Sequence, residues 1–167
     1  MESASALENI AELAIALAGF GGIAAGLGYR TRGDWTHDDQ VRLIGLALFG
    51  LAVAFACFLP TLTHSLGAQA PFQVASALFI PVPATSLLFQ IWLNRRGVPP
   101  GYSVLASLLN FLALFSAFAL LLAVILGHPS EREFGLYFAA VLTMLFHTSV
   151  LFVRLLITSF RSDTPAV

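Results

Sequence analysis

Charged side chains are scarce in this chain. Only 10% of its 167 residues are charged, lysine is absent, and nine acidic residues stand against eight arginines. So few ionic groups cannot cover the surface of a water-soluble domain, and the basic ones are too few for a nucleic-acid-binding surface. Apolar residues make up 58% of the chain instead. The composition predicts an integral membrane protein surrounded by lipid.

Cysteine is nearly absent as well. Cys57 is the single cysteine and lies in an apolar run, so it has no partner for an internal disulfide and is expected to act as a small apolar side chain. The first residues carry Glu2, Glu8 and Glu12 where a signal peptide needs a basic stretch. We therefore expect the first apolar segment to be retained.

Apolar runs long enough to cross a bilayer occur repeatedly. A transmembrane helix needs about 20 mostly apolar residues. Such runs cover residues 7–28, 41–61, 72–93, 103–127 and 134–157. The sequence therefore predicts an all-α polytopic membrane protein, a bundle of five transmembrane helices with short loops. We expect one domain over residues 1–161 and a flexible tail over residues 162–167.

Arginine placement predicts the orientation of the bundle. Arg132 alone lies on one side. The other seven flank the first connection, the third connection and the end of the fifth span: Arg30, Arg32, Arg42, Arg95, Arg96, Arg154 and Arg161. Because basic residues favour the cytoplasmic side, we expect the amino terminus outside and the carboxyl terminus in the cytoplasm. Trp92 falls at the predicted inner interface and Tyr137 at the outer one, where aromatic side chains anchor helices.

The overall pattern resembles that of small bacterial inner-membrane proteins. A glycine-rich first span ends in arginines, and the final span closes on Phe152-Val153-Arg154-Leu155-Leu156. The resemblance attaches to no named family, so it implies a location in the bacterial inner membrane and no residue roles.

Small residues recur at every fourth position of the first span. They are Ala14, Ala18, Gly22 and Gly26. Such spacing lets another helix backbone approach closely, so it predicts a packing face within the bundle or between copies of the chain. The alternative is a narrow pore wall.

The third span contains Pro81 and Pro83 near its middle. Each proline lacks an amide hydrogen, so the helix is expected to kink or break there. Carbonyls freed at membrane depth need partners, which makes this break a candidate ligand or ion path. The alternative is a static kink satisfied by the hydroxyls of Thr85 and Ser86.

A histidine lies deep in the fifth predicted span. His147 is about 20 Å from the outer end, close to the middle of the bilayer. An imidazole there is a candidate for gating or relaying protons. The alternative is a core histidine hydrogen-bonded to Thr143, one turn earlier. Asn110, in the inner half of the fourth span, is a second pore candidate, although its amide is more typical of a contact that holds helices together.

Two groups of polar residues invite a metal interpretation. Glu8 and Glu12 share a helix face, and His64 and His128 lie in the two outer connections. Together they would suit a cation-collecting rim or a zinc site, but solvated acids at a helix start are the more common arrangement. The inner connection holds Asp34, His37, Asp38 and Asp39, whose spacing fits helix capping better than metal binding. We therefore predict no metal site.

These features leave two classes of function. We find no nucleophile–base constellation, cysteine pair or phosphate-binding loop, so we expect no enzyme and no cofactor. The first class is a homo-oligomeric channel for ions or protons, with Glu8, Glu12, Asn110 and His147 as pore or relay candidates. Its partners would be further copies of the chain and a small cation or proton. The second is a non-catalytic accessory or scaffold subunit that packs against membrane proteins or lipids.

Overall fold

The computed structural model of the chain describes residues 2–32, 37–95, 104–127 and 132–160. The helices are α1 (Glu2–Arg32), α2 (His37–Ser65), α3 (Pro71–Phe79), α4 (Pro81–Arg95), α5 (Val104–Ile125) and α6 (Glu133–Phe160). The tail predicted for residues 162–167 lies outside the described ranges.

Membrane spans follow directly from these helices. Over the described part of the chain, five helical stretches are long and apolar enough to cross a membrane: Ser5–Leu27, Leu43–Ser65, Pro71–Trp92, Ser107–Ile125 and Glu133–Ile157. An apolar segment of this length forms a helix in lipid because each backbone group must find a hydrogen bond within its own segment. The predicted all-α bundle with five membrane-spanning segments is confirmed.

The second span is longer than the prediction. That prediction ends at residue 61, directly after Pro60, whereas α2 continues to Ser65. Gly67 follows the end of the helix, has a φ of 86° and donates its amide to His64 O at 3.0 Å. The amide of Ala68 reaches Thr63 O, also at 3.0 Å. This pair of bonds is the Schellman motif, which requires the left-handed conformation that glycine adopts without strain.

The third span is interrupted at the predicted place. Helix α3 ends at Phe79 and α4 begins at Pro81, so the two helices meet at Ile80. The backbone of Ile80 remains right-handed helical, with φ −55° and ψ −29°. Its amide still donates to Ser76 O at 2.9 Å. The interruption therefore arises from the missing proline amides and not from an unwound segment.

Helix α6 is central to the bundle, because it packs against α1, α2, α3 and α5. Buried apolar side chains form two clusters around it. The large cluster draws on every helix and includes Val53, Leu121 and Val141. The small cluster is made of Ala25, Leu46 and Leu155. Since Leu145 of α6 belongs to the large cluster and Leu155 to the small one, the stretch of α6 between them lies where one cluster gives way to the other.

Candidate functional site

His147 lies in that stretch of α6. It follows Glu133, the first residue of the helix, by 14 positions, which at about 1.5 Å per residue places it about 21 Å along the helix. Its side chain is only 3% exposed. The side chain of His147 therefore lies inside the bundle of a single protomer and does not face the surrounding lipid.

Asn110 of α5 is the hydrogen-bond partner of His147. The imidazole Nδ1 of His147 contacts Oδ1 of Asn110. Because an amide oxygen only accepts, a hydrogen bond between these two atoms requires the hydrogen on Nδ1. Asn110 is 2% exposed, so the pair joins α5 and α6 in the interior. Thr143, the partner considered from the sequence, does not bond His147. Its hydroxyl donates to Ala139 O at 2.6 Å within its own helix.

The second ring nitrogen of His147 is the unusual atom of this pair. With the hydrogen on Nδ1, Nε2 carries a lone pair and can only accept. Nε2 is buried and has no hydrogen-bond partner among the residues that the structure describes. The ring of Phe49 on α2 stands nearly perpendicular to the imidazole, at 86° and with ring centroids 4.8 Å apart. The hydrogen bond to Asn110 therefore favours the tautomer in which Nε2 is a buried acceptor without a partner among the described residues.

The two hydroxyl groups that follow His147 in the sequence already donate hydrogen bonds within α6. Thr148 follows His147 directly and is fully buried, and its hydroxyl donates to Met144 O at 2.9 Å. Ser149 donates to Leu145 O at the same distance. Both bonds run back to the carbonyl four residues earlier, the usual choice for hydroxyls in apolar helices. Neither hydroxyl donates a hydrogen bond to Nε2 of His147.

The two glutamates of the predicted outer rim lie elsewhere. Glu8 and Glu12 are exposed on α1, whereas Leu7, Ala11 and Ala14 of the same helix face the core. Among the described side chains, no three histidine, cysteine or acidic residues approach closely enough to hold a metal ion. The structure therefore does not bring Glu8 and Glu12 together with the buried pair.

Two other parts of the metal interpretation remain outside the description. His64 is exposed after Thr63 near the end of α2, but His128 lies outside the described residues. The side chains of the inner acidic connection, at residues 34 and 37–39, are likewise outside them.

The small-residue face of α1 divides into two parts. Ala14 and Ala18 pack against Gly50 of α2, where an added Cβ would lie 3.0 Å from both Ala14 O and the Cβ of Ala18. Gly22 and Gly26 are exposed, with open space where a side chain would be. Only the first half of the face is therefore used within the protomer.

Sequence reasoning missed Gly50, which matters for packing. Gly50 meets α1 as described above, and Gly21 is buried where an added Cβ would overlap the side chain of Leu46. Gly50 lies on α2, outside the four-residue repeat of α1, so a periodic pattern within one helix had no means of finding it. The signal lies in the neighbouring helix.

At the proline interruption, the hydroxyls do not fill the role considered for them. Pro81 and Pro83 remove the amides that would bond the carbonyls of Ala77 and Phe79. Thr85 donates instead to Pro81 O at 2.7 Å, and Ser86 donates to Val82 O at 2.8 Å. The hydroxyls of Thr85 and Ser86 therefore do not bond the two carbonyls that the prolines leave without an amide donor.

Tyr137, which the sequence predicts as an anchor at the outer interface, lies near the start of α6 with its side chain fully buried. Its hydroxyl donates to Ala56 O on α2 at 2.6 Å. Since Pro60 removes the amide that would bond this carbonyl, Tyr137 replaces a missing helical donor. The proline four residues after Ala56 was the available sequence signal.

A second polar contact joins the starts of α3 and α6. The amide Nε2 of Gln73, near the start of α3, donates to Oε1 of Glu133 at 3.0 Å. Phe72 and Phe134 meet edge-on beside it, with ring centroids 5.9 Å apart.

Comparisons of the chain with protein-family models, with curated proteins and with solved structures found no match.

Proposed function

We propose that this protein is a gated proton channel in which His147 takes up and releases the proton. The supporting observation is Nε2 of His147, buried with no hydrogen-bond partner among the described residues. A histidine that only joins two helices gains nothing from a bare acceptor in the core, where an unpaired polar atom costs free energy. A histidine that receives protons needs such a nitrogen.

The chemistry of the exchange is confined to one nitrogen. A proton binds the lone pair of Nε2, and the neutral imidazole becomes an imidazolium with one hydrogen on each nitrogen. The amide oxygen of Asn110 accepts the Nδ1 hydrogen bond but is too weak a base to take that proton. The proton therefore leaves from Nε2, to water that reaches this nitrogen past the other apolar cluster, and the neutral tautomer is restored.

Gating follows from the apolar clusters on either side of the pair. Along α6, Leu145 of the large cluster precedes His147, and Leu155 of the small cluster follows it. Protons move along hydrogen-bonded water, so a dry apolar layer blocks them until water enters. In this proposal the described conformation is the closed one, and opening admits water past one cluster at a time.

The placement of the candidates favours a path inside each protomer over a pore shared among copies. His147 and Asn110 are buried within one bundle, whereas Glu8 and Glu12 face outward from α1. A pore between copies would have to be lined by outward-facing residues. Substitution of Glu12 therefore discriminates between the two arrangements.

Proton flux into liposomes tests this proposal. Purified protein is reconstituted with a pH-sensitive dye inside, and a pH gradient is applied. We expect proton entry with the unmodified chain, entry lowered about tenfold or more by His147→Ala, and no change with Glu12→Gln. Flux that responds to Glu12→Gln but not to His147→Ala would place the path between copies and overturn the proposal.

One observation favours the second candidate, an accessory or scaffold subunit. Gly19, Gly22 and Gly26 leave open space on the outward face of α1, beside the exposed side chains of Phe20 and Ile23. A helix of another membrane protein, or of a second copy, can approach closely over such a surface. Absence of flux from every preparation would favour this candidate. The mass of the native protein in detergent then separates a second copy from a different partner.

A further inference from the structure

Helix α4 presents an aromatic pair on its outward face. Phe89 and Trp92 are 57% and 47% exposed. Their rings stack with centroids 5.9 Å apart and planes 19° from parallel. Stacking holds two flat apolar rings side by side near the end of a membrane span, the level at which tryptophan contacts the boundary between lipid tails and headgroups.

A basic side chain lies three residues after Trp92, within one helical turn of the aromatic pair. Arg95 is exposed in the last turn of α4. No carboxylate in the described part of the chain forms an ion pair with it. The sequence explains this in part, because no acidic residue occurs between Asp39 and Glu131. A planar guanidinium without a carboxylate partner is well suited to bind a phosphate group through two parallel hydrogen bonds.

We propose that the end of α4 is a binding site for an anionic phospholipid. Arg95 binds the phosphate of the headgroup, and the stacked rings of Phe89 and Trp92 support the first part of an acyl chain. Charge complementarity selects the headgroup, since a basic residue at the membrane surface favours anionic over zwitterionic lipid. The aromatic surface favours a lipid over a free anion, because a soluble phosphate has no apolar part to cover it. The site is separate from the buried histidine and does not depend on the proposed channel.

Lipid retention in native mass spectra tests this site. The protein is exchanged into nanodiscs of equal parts phosphatidylglycerol and phosphatidylcholine and then released with its bound lipids. We expect about fivefold preference for phosphatidylglycerol, which falls to near equality with Arg95→Gln. Arg132→Gln is the matched control. Arg132 is also exposed, but it lies between Glu131 and Glu133 in the sequence, so its loss should leave the preference unchanged.

Three results would overturn the site. The first is equal retention of the two lipids by the unmodified protein, and the second is an undiminished preference in Arg95→Gln. The third is displacement of the lipid by inorganic phosphate, which would indicate a site for soluble anions. Trp92→Leu provides an independent check, because it should lower the retained phosphatidylglycerol while the charge at Arg95 is intact. Unchanged elution and helix content would show that each variant is folded.

Discussion

The hydroxyl of Tyr137 on α6 donates a hydrogen bond of 2.6 Å to the carbonyl oxygen of Ala56 on α2. In an unbroken helix that carbonyl would accept the amide of residue 60, but Pro60 has no amide hydrogen. A side chain 81 positions away in the sequence therefore supplies the donor that the proline removes. This bond explains how α2 continues through Pro60 to Ser65 inside an apolar bundle.

Removing that hydroxyl should destabilise the bundle. Tyr137→Phe keeps the ring and leaves Ala56 O without its donor in a fully buried setting. We expect a loss of about 1 kcal/mol in the free energy of unfolding. Reversible unfolding in detergent, followed by circular dichroism, measures the change.

A double substitution separates the hydrogen bond from the packing of the ring. Pro60→Ala returns an amide donor to Ala56 O, so Tyr137→Phe should cost less in that background than in the unmodified chain. Equal costs in the two backgrounds would mean that the tyrosine hydroxyl does not compensate for the proline.

Two glycines give a matched pair for helix packing. Gly50→Ala places a methyl group 3.0 Å from the backbone oxygen of Ala14, where the backbone of α1 must move to admit it. We expect destabilisation of about 1–3 kcal/mol. Gly22→Ala enters open space and should be neutral or slightly stabilising, because alanine favours helix. Thermal unfolding of both variants tests the comparison, and equal effects would contradict the packing described for Gly50.

Much of the fold could be predicted because lipid imposes one strong rule. An apolar segment of about 20 residues must satisfy its own backbone, so length and composition alone indicate five spans. The proline interruption near Ile80 follows from the same reasoning, since a missing amide is visible in the sequence.

Contacts between helices could not be predicted in the same way. The pairing of His147 with Asn110 depends on the rotation and depth of two helices, and apolar runs carry little information about either. For the same reason Thr143, which is close in sequence, was a plausible but wrong partner for His147. The outward placement of Gly22 and Gly26 likewise depends on which face α1 turns toward α2.

The tautomer of His147 is a direct spectroscopic prediction. Because Nδ1 donates to Asn110, the spectrum of ¹⁵N-histidine-labelled protein should show a protonated Nδ1 and an unprotonated Nε2 for this residue. Asn110→Leu removes the acceptor and should increase the population of the other tautomer. A protonated Nε2 in the unmodified protein at neutral pH would contradict the acceptor nitrogen on which the proposed exchange depends.

Orientation can be tested with single cysteines, because the native Cys57 is buried and should react little. Gln69 and Arg95 are exposed near opposite ends of the bundle. With the amino terminus outside, Gln69→Cys should react with a membrane-impermeant maleimide in intact cells. Arg95→Cys should react only after the membrane is opened. The reverse pattern would invert the topology predicted from the arginines.

Proton flux at His147 is the most direct test of the proposed function. Phe146 is the neighbouring residue and is 51% exposed on the outer surface of the bundle, so Phe146→Ala controls for loss of a large side chain from the same turn of α6. In liposomes with equal protein content, we expect His147→Ala to reduce proton entry about tenfold or more and Phe146→Ala to leave it unchanged. Equal flux through the unmodified protein and His147→Ala would contradict the assignment of His147 as the exchange site.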